Sequence, residues 1–398
     1  MEVRFKISIT NFIKKLLPFL LIVSIIVKIQ ADLFFYQYKF YPSWSIMRHI
    51  IFVVIIILAA LLYLGVPDRH YWKKPTLIAV GISLIYLLVS IIMAISANEE
   101  FSRSIEITFM RVSPIILTYF FINIYSKKEL SNIVRLTFIL LTFQYFISKM
   151  DVLLEPESWL QINFIQSYSP FESSAMSGYF YGFLIYFTLF EYKRSYVFFS
   201  FIMNFLVFKR INVLFSIFLV IFGNKIPNKK EIRNFTKWVL IILFTVLPVL
   251  EYHMLRGSGL NKFLELFSEL NVQNLLMGRD WFLNTLLSSG YESYGLGSSG
   301  VQLYRLLLKP GLELDGVEMY LELGLLGVFG ISYMWWSFAE KKLKNVVIVF
   351  LFMLNYLTSA QLSDTYAVFF NTLTIAMIAR YGTFQKMKER YNLHMKIM

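Results

Sequence analysis

Cysteine is absent from all 398 residues, so neither a disulfide nor a thiolate metal site is open to this chain. That absence does not locate the protein, because a membrane protein facing an oxidising compartment can simply avoid thiols. Histidine is nearly as scarce: His49, His70, His253 and His394 are scattered, which excludes a zinc cluster. Charge is the third shortage, with Asp, Glu, Lys and Arg making up 16% of the chain, against about 25% in a soluble domain. Linkers rich in proline, glycine or serine are missing, and no repeat of fixed period appears. No P-loop, Ser/His/Asp set or haem ligand pair stands out either.

Apolar sequence fills the chain instead. Hydrophobic residues make up 57%, with 40 Phe and 25 Tyr, as expected where rings occupy lipid-facing and interfacial positions. They fall in blocks suited to crossing about 30 Å of hydrocarbon, at 14–35, 46–66, 76–97, 105–125, 133–149, 175–191, 195–208, 211–223, 238–252, 317–338, 346–362 and 366–380. Arg4, Lys6, Lys14 and Lys15 precede the first block and no small-residue cleavage site follows it, so a retained first span is expected. The pattern predicts an all-α integral membrane protein, one polytopic domain over 1–398 with about twelve transmembrane helices. Its largest connection, 253–316 between the ninth and tenth spans, is predicted to lie outside the cytoplasm.

Charge tests that topology. With the N-terminus in the cytoplasm, the inner segments are 68–75, 126–135, 191–194, 224–237, 340–344 and the tail from 380. The inner side then holds 25 of the 38 Lys and Arg but 7 of the 25 Asp and Glu. This bias satisfies the positive-inside rule and puts both termini in the cytoplasm. A basic rim facing anionic lipid accounts for the net charge of +13 without a nucleic-acid partner.

The informative residues are the outer cations that oppose the bias. Lys209 and Arg210 stand in FLVFKRINVLF between two short spans. A charged pair at a tight hairpin is costly without a partner, so it reads as an anion site or as Arg210 snorkelling to lipid phosphate. Arg256, Arg279 and Arg305 recur in the long loop. Arg279, in MGRDWFLNTLLSSGY, offers the planar, permanently charged fork that suits a diphosphate, or else pairs locally with Asp280. Arg305 reads as an ordinary loop-helix cation.

Candidate bases are Glu172, Glu292, Glu313, Asp315 and Glu318. Asp315 and Glu318 share a helix face where the tenth span begins. Apolar surroundings would suit them to proton abstraction, and the same spacing fits an N-terminal capping box. Glu322, one turn further, must face protein rather than lipid. Arg111 and Glu106 in the fourth span are expected to pair or to contact an outer site. Gly295-Leu-Gly-Ser-Ser-Gly300 spells the dinucleotide fingerprint but lacks its strand and cytosolic βαβ setting. It is expected to make a tight turn before a helix over 301–308, whose N-terminus is a further candidate anion site.

Three stretches and the topology together carry a resemblance. PFESSAMSGYFYGFLIYF, with Glu172 and Ser174, enters a span, and Lys209-Arg210 begins the next-but-one from a short outer turn. GRDWF…YGLGSSG…DGVEMYLELGLLGVFG then runs through Gly-Arg, an aromatic, Gly-x-Gly and a polar pair to a Tyr-Leu helix ending in Gly-x-x-Gly. In this order they resemble the O-antigen and capsular polysaccharide polymerases (Wzy type), relatives of the O-antigen ligases. The first 130 residues are similar in topology only. The ligase branch carries a His near Asp315 or Glu318, where this chain is acidic.

The resemblance implies a GT-C-like, inverting glycosyltransferase of the bacterial cytoplasmic (inner) membrane that needs neither metal nor cofactor. Donor and acceptor would be undecaprenyl-diphosphate-linked oligosaccharides, with a flippase and a chain-length regulator as further partners. It implies diphosphate binding by Lys209, Arg210 and Arg279. Glu172, Asp315 or Glu318 would take the proton of the attacking hydroxyl. Two alternatives stay open: an O-antigen ligase and, from another class, a lipid-linked-oligosaccharide flippase. A transporter would place its charges at mid-membrane and show a pseudo-repeat, whereas charge here gathers in one asymmetric outer loop.

Overall fold

The computed structural model describes residues 2–38, 40–66, 70–163, 169–227, 230–256, 278–309, 311–360, 362 and 364–382. The first part of the long loop, 257–277, and the tail from 383 lie outside the described residues. Among the described residues the chain is helical, with one isolated bridge between Glu231 and Lys342. The helices in order are α1 (Glu2–Tyr38), α2 (Met47–Leu64), α3 (Lys73–Ser96), α4 (Ser102–Ile124), α5 (Lys127–Ser148) and two short outer turns, α6 (Met150–Leu154) and α7 (Pro156–Leu160). Then come α8 (Ser174–Leu189), α9 (Arg194–Leu206), α10 (Arg210–Phe222) and α11 (Asn234–Leu255). Two loop helices, α12 (Arg279–Ser288) and α13 (Ser298–Leu307), precede α14 (Asp315–Phe338), α15 (Leu343–Thr358) and α16 (Thr365–Tyr381).

A helix occupies each of the twelve expected runs. Six stretches are both long and apolar enough to cross a membrane: Ser43–Leu64, Lys73–Ser96, Ser102–Ile124, Lys127–Ser148, Asn234–Leu255 and Asp315–Phe338. The chain is thus a multi-pass membrane protein in its helix content. α9 and α10 have 13 residues each, about 20 Å at 1.5 Å per residue, which is short of about 30 Å of hydrocarbon.

Burial divides the helices into a lipid-facing set and a central set. α2 and α3 leave broad apolar faces open, including Ile57, Leu61, Leu84 and Leu88, as a lipid-facing surface requires. In α8 every residue from Ala175 to Leu189 is buried, and in α16 every residue from Thr365 to Ile378. A helix apolar all round belongs in the middle of a bundle. α8 packs on α9, α10 and α16, α16 also packs on α4, and α14 packs on α11, α3 and α15. α14 is broken at Gly324 (φ 60°, ψ −151°), a conformation that glycine adopts without steric cost.

At the end that the charge bias assigns to the cytoplasm, several cations rest on helix C-terminal carbonyls. Lys344 Nζ donates to Leu189 O (2.6 Å), Lys342 Nζ to Ala379 O (2.6 Å), and Arg380 to Ile122 O. These positions complement the negative end of each helix and satisfy its orphan carbonyls. The inner basic residues therefore do more than face lipid.

At the opposite end the loop helices build a small core of their own. Phe282, Leu283, Leu286, Leu303 and Leu312 pack with Tyr252 and Leu255 of α11 and Val317 of α14. The glycine-rich turn latches this unit to the N-terminal half of the chain. Leu296 N–H donates to Ser90 Oγ (3.0 Å), and Ser104 Oγ donates to Leu296 O (2.9 Å). A Cβ on Gly295 (φ 109°) would stand 2.6 Å from Ser90 Cβ, and one on Gly297 (φ 83°) would stand 2.5 Å from Ile107 Cδ1. The expected tight turn is present, and close approach fixes its glycines as much as backbone conformation does.

Candidate anion site at the outer end

Arg210 and Arg279 share an unusual position. Each is the first residue of a helix, α10 and α12, whose N-terminus has no side-chain cap. Gly278 before α12 is left-handed (φ 77°), as is Phe208 before the Lys209 N-cap of α10 (φ 51°). A cation at a helix N-terminus opposes the helix dipole, and both it and the free N–H groups favour an anion nearby.

The chain brings these two helix starts together although about 70 residues separate them. Lys209 is half-buried by surface area and surrounded by protein. Burial and the charge of Arg279 push its ammonium down to about 8, against Asp315, Glu313 and Asp364, which pull it up. Burial likewise lowers the Arg279 guanidinium from its usual range. Glu313 and Glu251 oppose that shift, and Arg210 adds to it. Burial raises the Glu172 carboxyl, with Lys149, Lys209 and Arg210 opposing and Glu313 reinforcing. Lys209, Arg210, Arg279, Glu172 and Asp315 thus form one electrostatic cluster, drawn from the starts of α8, α10, α12 and α14.

Within this cluster the side chains of Lys209, Arg279, Glu172 and Glu313 make no hydrogen bond or ion pair with any described residue. Arg279 Nε is buried without a partner, and so is Glu251 Oε2. The expected alternative of an Arg279–Asp280 salt bridge is not formed. Buried polar groups of this kind ordinarily have a hydrogen-bond partner. Glu313 sits at φ 60°, a strained backbone for a non-glycine residue and a common mark of functional loops.

Asp315 and Glu318 do not form a capping box. The N-cap of α14 is Leu314, with no side-chain cap. The buried Asp315 accepts from Leu362 N–H (2.5 Å), tying α14 to the start of α16. Glu318 accepts from Leu312 N–H and lies over Gly311. It faces Asp315, Glu322 and Arg111 rather than the outer cations. Asp315 and Glu318 each accept from a backbone donor, whereas Glu172 accepts from no described side chain or backbone group.

Three further expectations change. Glu322 does face protein, and its partner is the glycine-rich turn: Oε1 accepts from Ser299 Oγ (2.6 Å) and Ser299 N–H (3.2 Å). The candidate anion site at the start of α13 is therefore filled by the chain's own carboxylate. Arg111 and Glu106 do not pair; Glu106 binds Arg103 (2.6 Å), while Arg111 reaches Met319 Sδ (2.7 Å) and acts on Glu318 and Glu322. Arg305 is exposed on α13, as an ordinary loop-helix cation would be.

Sequence reasoning missed Lys149, Glu251 and Asp364. Lys149 Nζ holds Pro170 O (3.0 Å) beside Glu172. Asp364 caps α16 by accepting from Ala367 N–H (3.2 Å) and stands 3.7 Å from Lys28, which binds Asp32 (2.7 Å). Glu251 had a readable signal, as the one acid inside the apolar run 238–252. Among the described residues no three His, Asp or Glu side chains gather as a metal site. The chain matches no protein-family model, no characterised protein and no solved structure.

Proposed function

We propose that this chain is a polysaccharide polymerase that joins undecaprenyl-diphosphate-linked oligosaccharides on the outer face of the bacterial cytoplasmic membrane. In this reading the chain crosses twelve times and keeps both termini in the cytoplasm. One observation carries it: Lys209, Arg210 and Arg279, at the starts of α10 and α12, act on one another and lie beside Glu172, whose carboxylate has no ion-pair partner among the described residues. Two guanidinium forks and an ammonium suit a group with several negative oxygens.

A hydroxyl of the acceptor's repeat unit attacks the anomeric carbon of the donor from the face opposite the diphosphate. The new C–O bond forms as the bond to the diphosphate oxygen breaks, inverting the centre. Glu172 accepts the hydroxyl proton, and its raised pKa brings it nearer the range where a carboxylate base works at neutral pH. Lys209, Arg210 and Arg279 meet the charge that develops on the leaving diphosphate.

The test is gel analysis of surface polysaccharide in a deletion strain complemented with variants. Arg210→Ala and Arg279→Ala are expected to lose long polymer, from a rate reduced about 10²–10³-fold each, with the protein still in the membrane. Full-length ladders from both variants would sink the proposal. Accumulated lipid-linked polymer in the deletion strain would point instead to a ligase, and complete absence of outer repeats to a flippase.

A further inference from the structure

The end of the bundle opposite this site holds a shallow, open recess lined by His70, Lys73, Lys74, Leu77 and Ile78. Its rim is held in place. Asn123 accepts from Tyr71 N–H (3.0 Å) and donates to Tyr71 O (3.1 Å), and Arg380 stacks 4.1 Å from the Tyr71 ring centre. His70 Nδ1 is hydrogen-bonded to the Tyr63 hydroxyl (2.7 Å).

Neighbouring cations at this end rest on helix carbonyls, but the side chains of Lys73 and Lys74 have no hydrogen-bond or ion-pair partner among the described residues. The charges of Lys74 and Lys341 both bear on Lys237 of α11, with Glu340 in opposition. Four lysines, Lys74, Lys237, Lys341 and Lys342, thus gather about two carboxylates, Glu340 and Glu231, with cation in excess. Below them Leu77 is 58% exposed and begins an apolar stripe that continues through Leu84 and Leu88. A Cβ placed on Gly81, within that stripe, would meet nothing within 4 Å, so the stripe has a notch there.

We infer that this recess binds the phosphate headgroup of an anionic phospholipid of the inner leaflet, with an acyl chain along Leu77, Leu84 and Leu88. Like charges held together at a membrane surface are relieved by a net negative headgroup. A zwitterionic lipid brings its own cation and relieves them far less. The inference rests on the inward orientation of this end and not on the polymerase reading.

The experiment is native mass spectrometry of the full chain from nanodiscs of phosphatidylcholine mixed with phosphatidylglycerol. Wild-type protein is expected to retain phosphatidylglycerol in preference. Lys73→Gln with Lys74→Gln should weaken that retention about thirtyfold, at about fivefold per lysine, leaving phosphatidylcholine unchanged. Lys73→Arg with Lys74→Arg should retain it. Should the glutamine pair not fold, Lys341→Gln in the α14–α15 connection should lower retention about fivefold. Equal retention of the two lipids by wild type, or unchanged retention in the glutamine variants, would overturn the inference. So would displacement of the lipid by millimolar inorganic phosphate, which would mark a free-phosphate site.

Discussion

Lys209 gives the candidate site a pH dependence that is simple to measure. Its ammonium titrates near 8 because burial and Arg279 disfavour the charge more than Asp315, Glu313 and Asp364 support it. At pH 7 about nine-tenths of the molecules carry the charge, and at pH 9 about one-tenth do. An anion bound beside Lys209 raises its pKa, so binding takes up a proton above pH 8 and affinity falls as pH rises. Affinity for a prenyl diphosphate should therefore drop about tenfold between pH 7 and pH 9. Arginine does not titrate in this range, so Lys209→Arg should be flat apart from the ligand's own ionisation. That ionisation is common to both proteins and cancels in their ratio.

Titration calorimetry of detergent-solubilised protein with farnesyl diphosphate measures this ratio directly. A wild-type curve parallel to that of Lys209→Arg would refute both the lowered pKa and the place of Lys209 beside the anion. Without ligand the sign reverses. The unfolded lysine keeps its proton to about 10.5, above the folded value of about 8. The cost of the buried charge is therefore fully present below pH 8, and unliganded stability rises between about pH 8 and 10.5.

Glu172→Gln should lower polymerisation about 10²–10⁴-fold. Glu318→Gln keeps an acceptor for Leu312 N–H and should leave activity largely intact, so equal losses in the two would place the base elsewhere. Gly295→Ala forces a Cβ to within 2.7 Å of Ser90 Cα at a positive φ. It should destabilise the latch by about 1–3 kcal/mol, read as faster amide exchange over residues 293–300; unchanged exchange would show that the turn is not docked on α3. Lys28→Met leaves Asp364 without its cation, while Asp32 keeps Arg48 (3.1 Å). Its thermal midpoint should fall by the equivalent of about 3–5 kcal/mol, with Lys28→Arg largely restoring it; a midpoint within a degree of wild type would mean these charges are hydrated.

Helix positions were legible because apolar length is a local signal: each of the twelve runs carries a helix. Span number was less so, since α9 and α10 satisfy composition but not length. Lys209, Arg210 and Arg279 were legible as cations on the wrong side of a strong charge bias. That Glu251 at the end of α11, Glu313 in a loop and Asp364 before α16 would lie near these cations was not legible, because their proximity is set by packing. Spacing misled at Asp315 and Glu318, where i, i+3 suggested a local cap. The partners turned out to be Leu362 and Leu312, supplied by the turns around the helix start. The glycine-rich turn was legible as a turn, but its filling was not. No local pattern announces that Glu322, two turns into the next helix, closes back on Ser299.

The two ends of the bundle use the same residue types in opposite ways, and that contrast locates ligands better than charge density does. At the inner end Lys342, Lys344 and Arg380 are bonded to the last carbonyls of helices, where a cation completes the backbone's own electrostatics. At the outer end Arg210 and Arg279 begin helices, where a cation repels the dipole beside it and neither first turn has a side-chain cap. A cation on a C-terminal carbonyl is already satisfied and has little left to offer an anion. Arg279, at an uncapped N-terminus, pairs with no described carboxylate, and an anion that also reached the free N–H groups would lower its energy. Glu322 plays that part for α13 from within the chain. In the proposed reaction the lipid-linked diphosphate would play that part for α12, whose N-cap, Gly278, has no side chain to do so.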